Sequence, residues 1–149
     1  MNFIRNTFAI LVGMGIVAFT VTVGIRMVPE WRTFDGYSPF EHWNKFLQSM
    51  DGNSGFFGFL LFISGLGTTI AGVVTAMIVK YAKVAYAILI GFIMLFVAMI
   101  DVVVFPHHPT FYKISIFLIY FPFSWIGGKI VEVFYERKKK NSKKIKNAS

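Results

Sequence analysis

One carboxylate and a pair of histidines raise the question of chemistry first. Asp101 stands near the end of a long apolar run, and the stretch "VVVFPHHPTFY" (residues 102–112) then sets His107 and His108 between Pro106 and Pro109. Zinc or copper accept imidazole and carboxylate ligands, so a metal centre is one chemistry this cluster offers. A proton relay is another, because imidazole titrates near neutral pH. The spacing argues against the first. Pro109 restricts His108 to extended conformations, and adjacent residues in an extended segment point to opposite sides. The two rings therefore do not chelate one ion together, and a metal would need His42, Asp101 or acids of the first loop to converge on one of them. No H-x-x-x-H or H-E-x-x-H spacing occurs. The chain has no cysteine, which removes thiolate ligands, cysteine nucleophiles and disulfides. No nucleophile and base fall at a spacing that marks a catalytic pair. "PHHP" reads as a short, stiff turn, with no metal and no cofactor expected.

The elements that must carry these residues are membrane helices. The 149 residues are 56% hydrophobic and 15% charged, against about 45–50% and about 25% in ordinary soluble domains. Charged residues are absent from 7–25, 52–79, 84–100 and 114–128. A helix needs about 20 apolar residues to cross a bilayer core, and each gap reaches that length with its flanks. Four spans follow, at about 7–28, 55–79, 84–105 and 111–131. The fold class is all-α, an integral membrane four-helix bundle over residues 1–136, with a basic, disordered tail over 137–149. The first span is longer than the ~7–15 apolar residues of a signal peptide, and it reads as a retained helix.

Charge sets the expected orientation. With four spans both ends share a side, and that side holds eleven of the fifteen Lys and Arg, seven of them from Arg137 to Lys146. Cationic loops stay cytoplasmic, so both termini are expected in the cytoplasm. The tail is expected to meet anionic lipid; nucleic acid is not expected, since no aromatic residue is interleaved after Tyr135.

Placed in this frame, Asp101 lies about one turn below the outer end of the third span. A carboxylate there is costly and needs a partner. Arg26 lies at a similar depth in the first span and is the expected ion-pair partner, with Lys113 as the competitor. His107, His108 and Lys113 form the expected outer polar cluster. A transport path would need further ionisable groups leading inwards, and the second and third spans hold none.

The first outer loop contains "SPFEHWNKFLQSM". Ser38 as N-cap, Pro39 at the first position and Glu41 in a capping box start a helix over about 39–50. Phe40, Trp43, Leu47 and Met50 recur on one face, with Phe46 beside them. Such a helix suits the outer interface or the end of the bundle; a partner-docking surface is the alternative. In the second span Ser64, Thr68, Gly72 and Ala76 form a small-residue stripe at four-residue spacing. Such stripes let helices approach closely, either within the chain or as a homo-oligomer seam. Pro122 in the fourth span removes a backbone bond and strains the Leu118 carbonyl.

The stretches "MIDVVVFPHHPTFYKISIFLIYFPFSWIGGKIV" and "GFLLFISGLGTTIAGVVTAMI" resemble a family of small bacterial four-span inner-membrane proteins. Its marks are a P-H-P-x-[WF]-like turn after the third span and a P-x-x-x-x-G stretch in the fourth. The corresponding residues are Pro106, His108, Pro109 and Phe111, then Pro122 and Gly127. The chain departs by an extra histidine in the turn and by Arg26 where an acid is expected. The resemblance implies the four-span fold and a bacterial inner-membrane location, and no activity.

The functional expectation is a non-enzymatic small integral membrane protein, an accessory or scaffold subunit of a membrane assembly or a homo-oligomer. The alternative is a small transporter or channel protomer using Asp101 and Arg26 at an outer vestibule.

Overall fold

The computed structural model describes residues 2–149. Helix α1 runs over Asn2–Arg26, a 3-10 helix over Pro29–Phe34, α2 over Pro39–Ser49, α3 over Ser54–Ile78, α4 over Lys83–Val104 and α5 over Thr110–Ala148. No strand is present among the described residues. Four helices, α1, α3, α4 and α5, are long and apolar enough to cross a membrane. The chain is an all-α, four-helix protein of the multi-pass membrane type.

Helix α3 is the central element. It packs against α1, α4 and α5, whereas α1 and α4 barely touch. Accordingly 56% of its spanning segment is buried, against 28% for α1 and for α4. The small residues explain this. Ser64, Thr68 and Ala76 are at most 1% exposed, and Gly72 is buried with them. A Cβ on Gly72 would lie 2.7 Å from the Ser124 carbonyl of α5 and 3.4 Å from Cα of Gly127. Backbone thus meets backbone, and dispersion over the whole seam holds the pair where lipid removes the hydrophobic drive. The stripe is buried in packing within the chain.

Polar groups lock the end of the bundle that carries the chain termini. Ala82 adopts a left-handed conformation (φ 52°, ψ 43°) in the turn between α3 and α4. Lys83 Nζ donates to the Ala76 and Val79 carbonyls at 2.8 and 2.6 Å, closing the open end of α3. It also lies 4.4 Å from the Tyr135 ring centroid of α5. Asn6 Nδ2 donates to the Tyr86 hydroxyl at 2.8 Å, which ties α1 to α4.

At the opposite end α2 caps the bundle. Phe46 and Leu47 are fully buried, and Met50 is 4% exposed. Phe46 meets Phe56 of α3 edge-on at 5.2 Å, while Phe40 meets Phe105 at 4.8 Å. The aromatic face is therefore turned onto the bundle. The start of α2 differs from a capping box: the Ser38 hydroxyl donates to the Glu41 carboxylate at 3.1 Å instead of capping a backbone N–H. The sequence reading missed Asn53, whose side chain accepts from Phe56 N at 3.1 Å and caps α3.

Helix α5 is continuous through Pro122, and the Ser124 hydroxyl donates to the Phe121 carbonyl at 2.8 Å. One expectation along α5 changes: the helix continues to Ala148, through residues 137–148 of the segment expected to be disordered. No glycine or proline follows Gly128 to end it, and Lys, Arg and Glu are good helix formers. Lack of apolar periodicity reports lack of a packing face, which an extended helix in water does not need.

Candidate functional site

Asp101 sits on the last turn of α4, where its carboxylate meets the cap rather than the first helix. The Trp43 indole N–H of α2 donates to Asp101 Oδ1 at 2.7 Å. His108 Nε2 lies 3.1 Å from Oδ2. That second contact is close but not directed, because Nε2 makes no aligned hydrogen bond. The directed bond of the ring is at its other nitrogen: Nδ1 lies 2.8 Å from the Phe105 carbonyl. A carbonyl only accepts, so Nδ1 carries the proton and donates. The same turn that Pro106 and Pro109 enforce thus holds His108 inward. Its ring stacks on Tyr112 at 5.0 Å and leans on Phe57 at 5.6 Å.

The expected Arg26–Asp101 pair does not form. Arg26 is exposed at the end of α1, and Lys113 is exposed on α5. A long cation at a helix end can reach the polar boundary unaided, whereas the Asp101 carboxylate is overlain by α2. Proximity in depth did not carry information about which faces of the bundle meet. Of the expected outer cluster, His108 reaches Asp101, His107 is half-buried, and Lys113 points outward. His42 belongs to the cap: Nε2 donates to the Trp31 carbonyl at 2.9 Å, and the ring lies 4.0 Å from that of Trp31. Among the described residues no three His, Asp or Glu side chains converge on a metal position.

Beside Asp101 the bundle is open. A cleft of about 410 Å³ lies between α1 and α4, beneath the cap, within the ~300–1,000 Å³ of ordinary ligand pockets. Its floor and sides come from all four long helices, and Trp31 and Trp43 line it at the cap. Asp101, Tyr112, Tyr120 and Ser64 supply the polar part of its wall. Tyr112 and Tyr120 are only 4% and 5% exposed, so these phenols face the cleft from within the protein. The sequence carried a signal for this wall: Tyr112, Ile116 and Tyr120 recur every fourth residue and share one face of α5. It carried none for the gap between α1 and α4.

No family model, no curated protein and no solved structure matches the chain.

Proposed function

We propose that the chain is a non-enzymatic multi-pass protein of a bacterial inner membrane, with both termini cytoplasmic, that serves as an accessory or scaffold subunit of a membrane assembly. The observation that carries this reading is the way interior polar groups end. Below the outer cleft, the Thr68, Ser124 and Thr75 hydroxyls each donate to a backbone carbonyl, of Ser64, Phe121 and Ala9 respectively. Glycine contacts seal the axis around them. No ionisable side chain continues from Asp101 through this layer, so a proton or ion has no relay. This favours a rigid binding or organising element over a transporter.

The surface supports the same reading. Large apolar side chains stay exposed along the helices, among them Phe117, Phe121 and Trp125 on α5 and Phe92 and Phe96 on α4. Lipid or the helices of a partner subunit satisfy such faces equally. The cationic extension of α5 presents Lys138, Lys139, Lys140, Lys143, Lys144 and Lys146 to anionic headgroups, each worth about 1 kcal/mol near the surface. Eleven of fifteen cations on the side of the termini support the orientation.

Purification of the native protein in a mild detergent, followed by mass analysis, tests the proposal. A defined complex with another membrane protein, or a homo-oligomer of fixed stoichiometry, is the expected result. A monomer that brings down nothing in reproducible stoichiometry overturns it.

A further inference from the structure

We propose that the cleft beside Asp101 binds a membrane-dissolved amphiphile by its primary ammonium group, the carboxylate taking the charge and the cleft taking the apolar body. This goes beyond a scaffolding role and stands whether or not a partner subunit exists.

Charge complementarity identifies the head group. No lysine or arginine lines the cleft. The Asp101 side chain is one-quarter exposed, at 25%, and the residue lines the cleft. A carboxylate offers about four acceptor positions. Trp43 occupies one, and His108 approaches without an aligned bond. The positions left over suit a donor with several N–H groups. A primary ammonium has three and no acceptor, and the buried Tyr112, Tyr120 and Ser64 hydroxyls can accept what Asp101 does not. Trp31 and Trp43 line the same end of the cleft and add apolar surface there. An anionic head group would meet Asp101 with no compensating cation, and a neutral alcohol would leave its charge unmatched.

The opening identifies the body. The cleft lies where α1 and α4 barely touch, and its two lips are Ala18 and Thr22 on one helix and Val97 on the other, all exposed. That mouth faces hydrocarbon, so the ligand arrives sideways from the bilayer. At about 410 Å³ the space takes one alkyl chain or a compact apolar body rather than a whole two-chain lipid. An aminophospholipid could still present its ammonium head here with its chains outside.

The test uses the full chain in dodecyl maltoside, with dodecylamine as probe and dodecanol as its uncharged match. The readout is fluorescence of Trp31 and Trp43 in a Trp125→Phe background, since Trp125 faces outward. Dodecylamine should give a saturable change that dodecanol does not. Asp101→Asn, which keeps the side-chain size and an acceptor for Trp43, should raise the half-saturation concentration about tenfold, as loss of one charge-assisted contact requires. Ala18→Phe, at an exposed lip on the other helix, should abolish the response with the helix content unchanged. It keeps the test decisive even where Asp101→Asn fails to fold. Repetition in phosphatidylcholine nanodiscs, with and without equimolar phosphatidylethanolamine, separates the two sources of the head group. Suppression by the aminophospholipid assigns the site to a lipid headgroup; an unchanged response assigns it to a free amine. Equal responses to dodecylamine and dodecanol, no response to either, or an Asp101→Asn variant with unaltered half-saturation overturns the proposal.

Discussion

Replacing Trp43 by Phe removes the single directed donor that reaches Asp101 from the cap, and its cost follows from the geometry. The bond is 2.7 Å long and its acceptor is a carboxylate; hydrogen bonds to charged groups contribute about 1.5–3 kcal/mol. Asp101 retains 25% side-chain exposure and a second polar neighbour in His108, which brings the expectation to the bottom of that range, about 1.5 kcal/mol. The indole also packs on Trp31 and Phe46, at 6.2 and 5.9 Å between ring centres. The single substitution therefore overstates the bond. A double-mutant cycle with Asp101→Ala separates the two contributions, because the packing loss is common to both backgrounds. Reversible unfolding in mixed detergent–dodecyl sulfate micelles, followed by circular dichroism, measures each corner. The expected coupling is about 1.5 kcal/mol, with Trp43→Phe costing distinctly more when Asp101 is present. Additivity within about 0.3 kcal/mol would refute the claim that this bond joins the cap to the bundle.

Other outcomes follow from the same contacts. Gly127→Leu should abolish a monodisperse folded species, since any side chain there enters the α3 backbone at Thr69 and Gly72; overpacking costs about 1–3 kcal/mol even where neighbours are mobile side chains. Size-exclusion chromatography in detergent reads the result. Phe46→Ala should lower stability by about 3–5 kcal/mol and expose the 29–53 segment to protease, because this fully buried ring pins α2 to Phe56. Lys83→Met should cost about 1–2 kcal/mol by freeing the Ala76 and Val79 carbonyls, seen as a lower unfolding midpoint. For orientation, the absence of native cysteine makes Gly36→Cys and Ser149→Cys direct reporters. An impermeant thiol reagent applied to intact cells should label the first and spare the second.

The two proposed roles make separable demands on Asp101. A purely organising role tolerates any ligand result, while ammonium binding predicts competition at one residue and one mouth. The cleft is thus testable without knowledge of a partner, and a partner is testable without the cleft.

Much of the architecture was legible without coordinates because it depends on one-dimensional physics. Hydrocarbon excludes charge, so the uncharged runs marked α1, α3, α4 and α5 to within a few residues at most ends. Proline and glycine chemistry marked α2, and four-residue spacing marked the stripe from Ser64 to Ala76 as a packing face. What failed was pairing. Depth along the membrane suggested Arg26 for Asp101, yet the cap brings Trp43 to that carboxylate and leaves Arg26 outside. The length of α5 also escaped, since a solvent-facing helix needs no apolar face and so leaves none in the sequence. Span number, the turn at "PHHP" and the chemistry available at Asp101 are properties of local sequence. The inward seat of His108, the burial of Tyr112 and Tyr120 and the opening between α1 and α4 are not. They depend on how helix faces distant in the chain rotate against one another, and that rotation is set by the summed packing of the whole bundle.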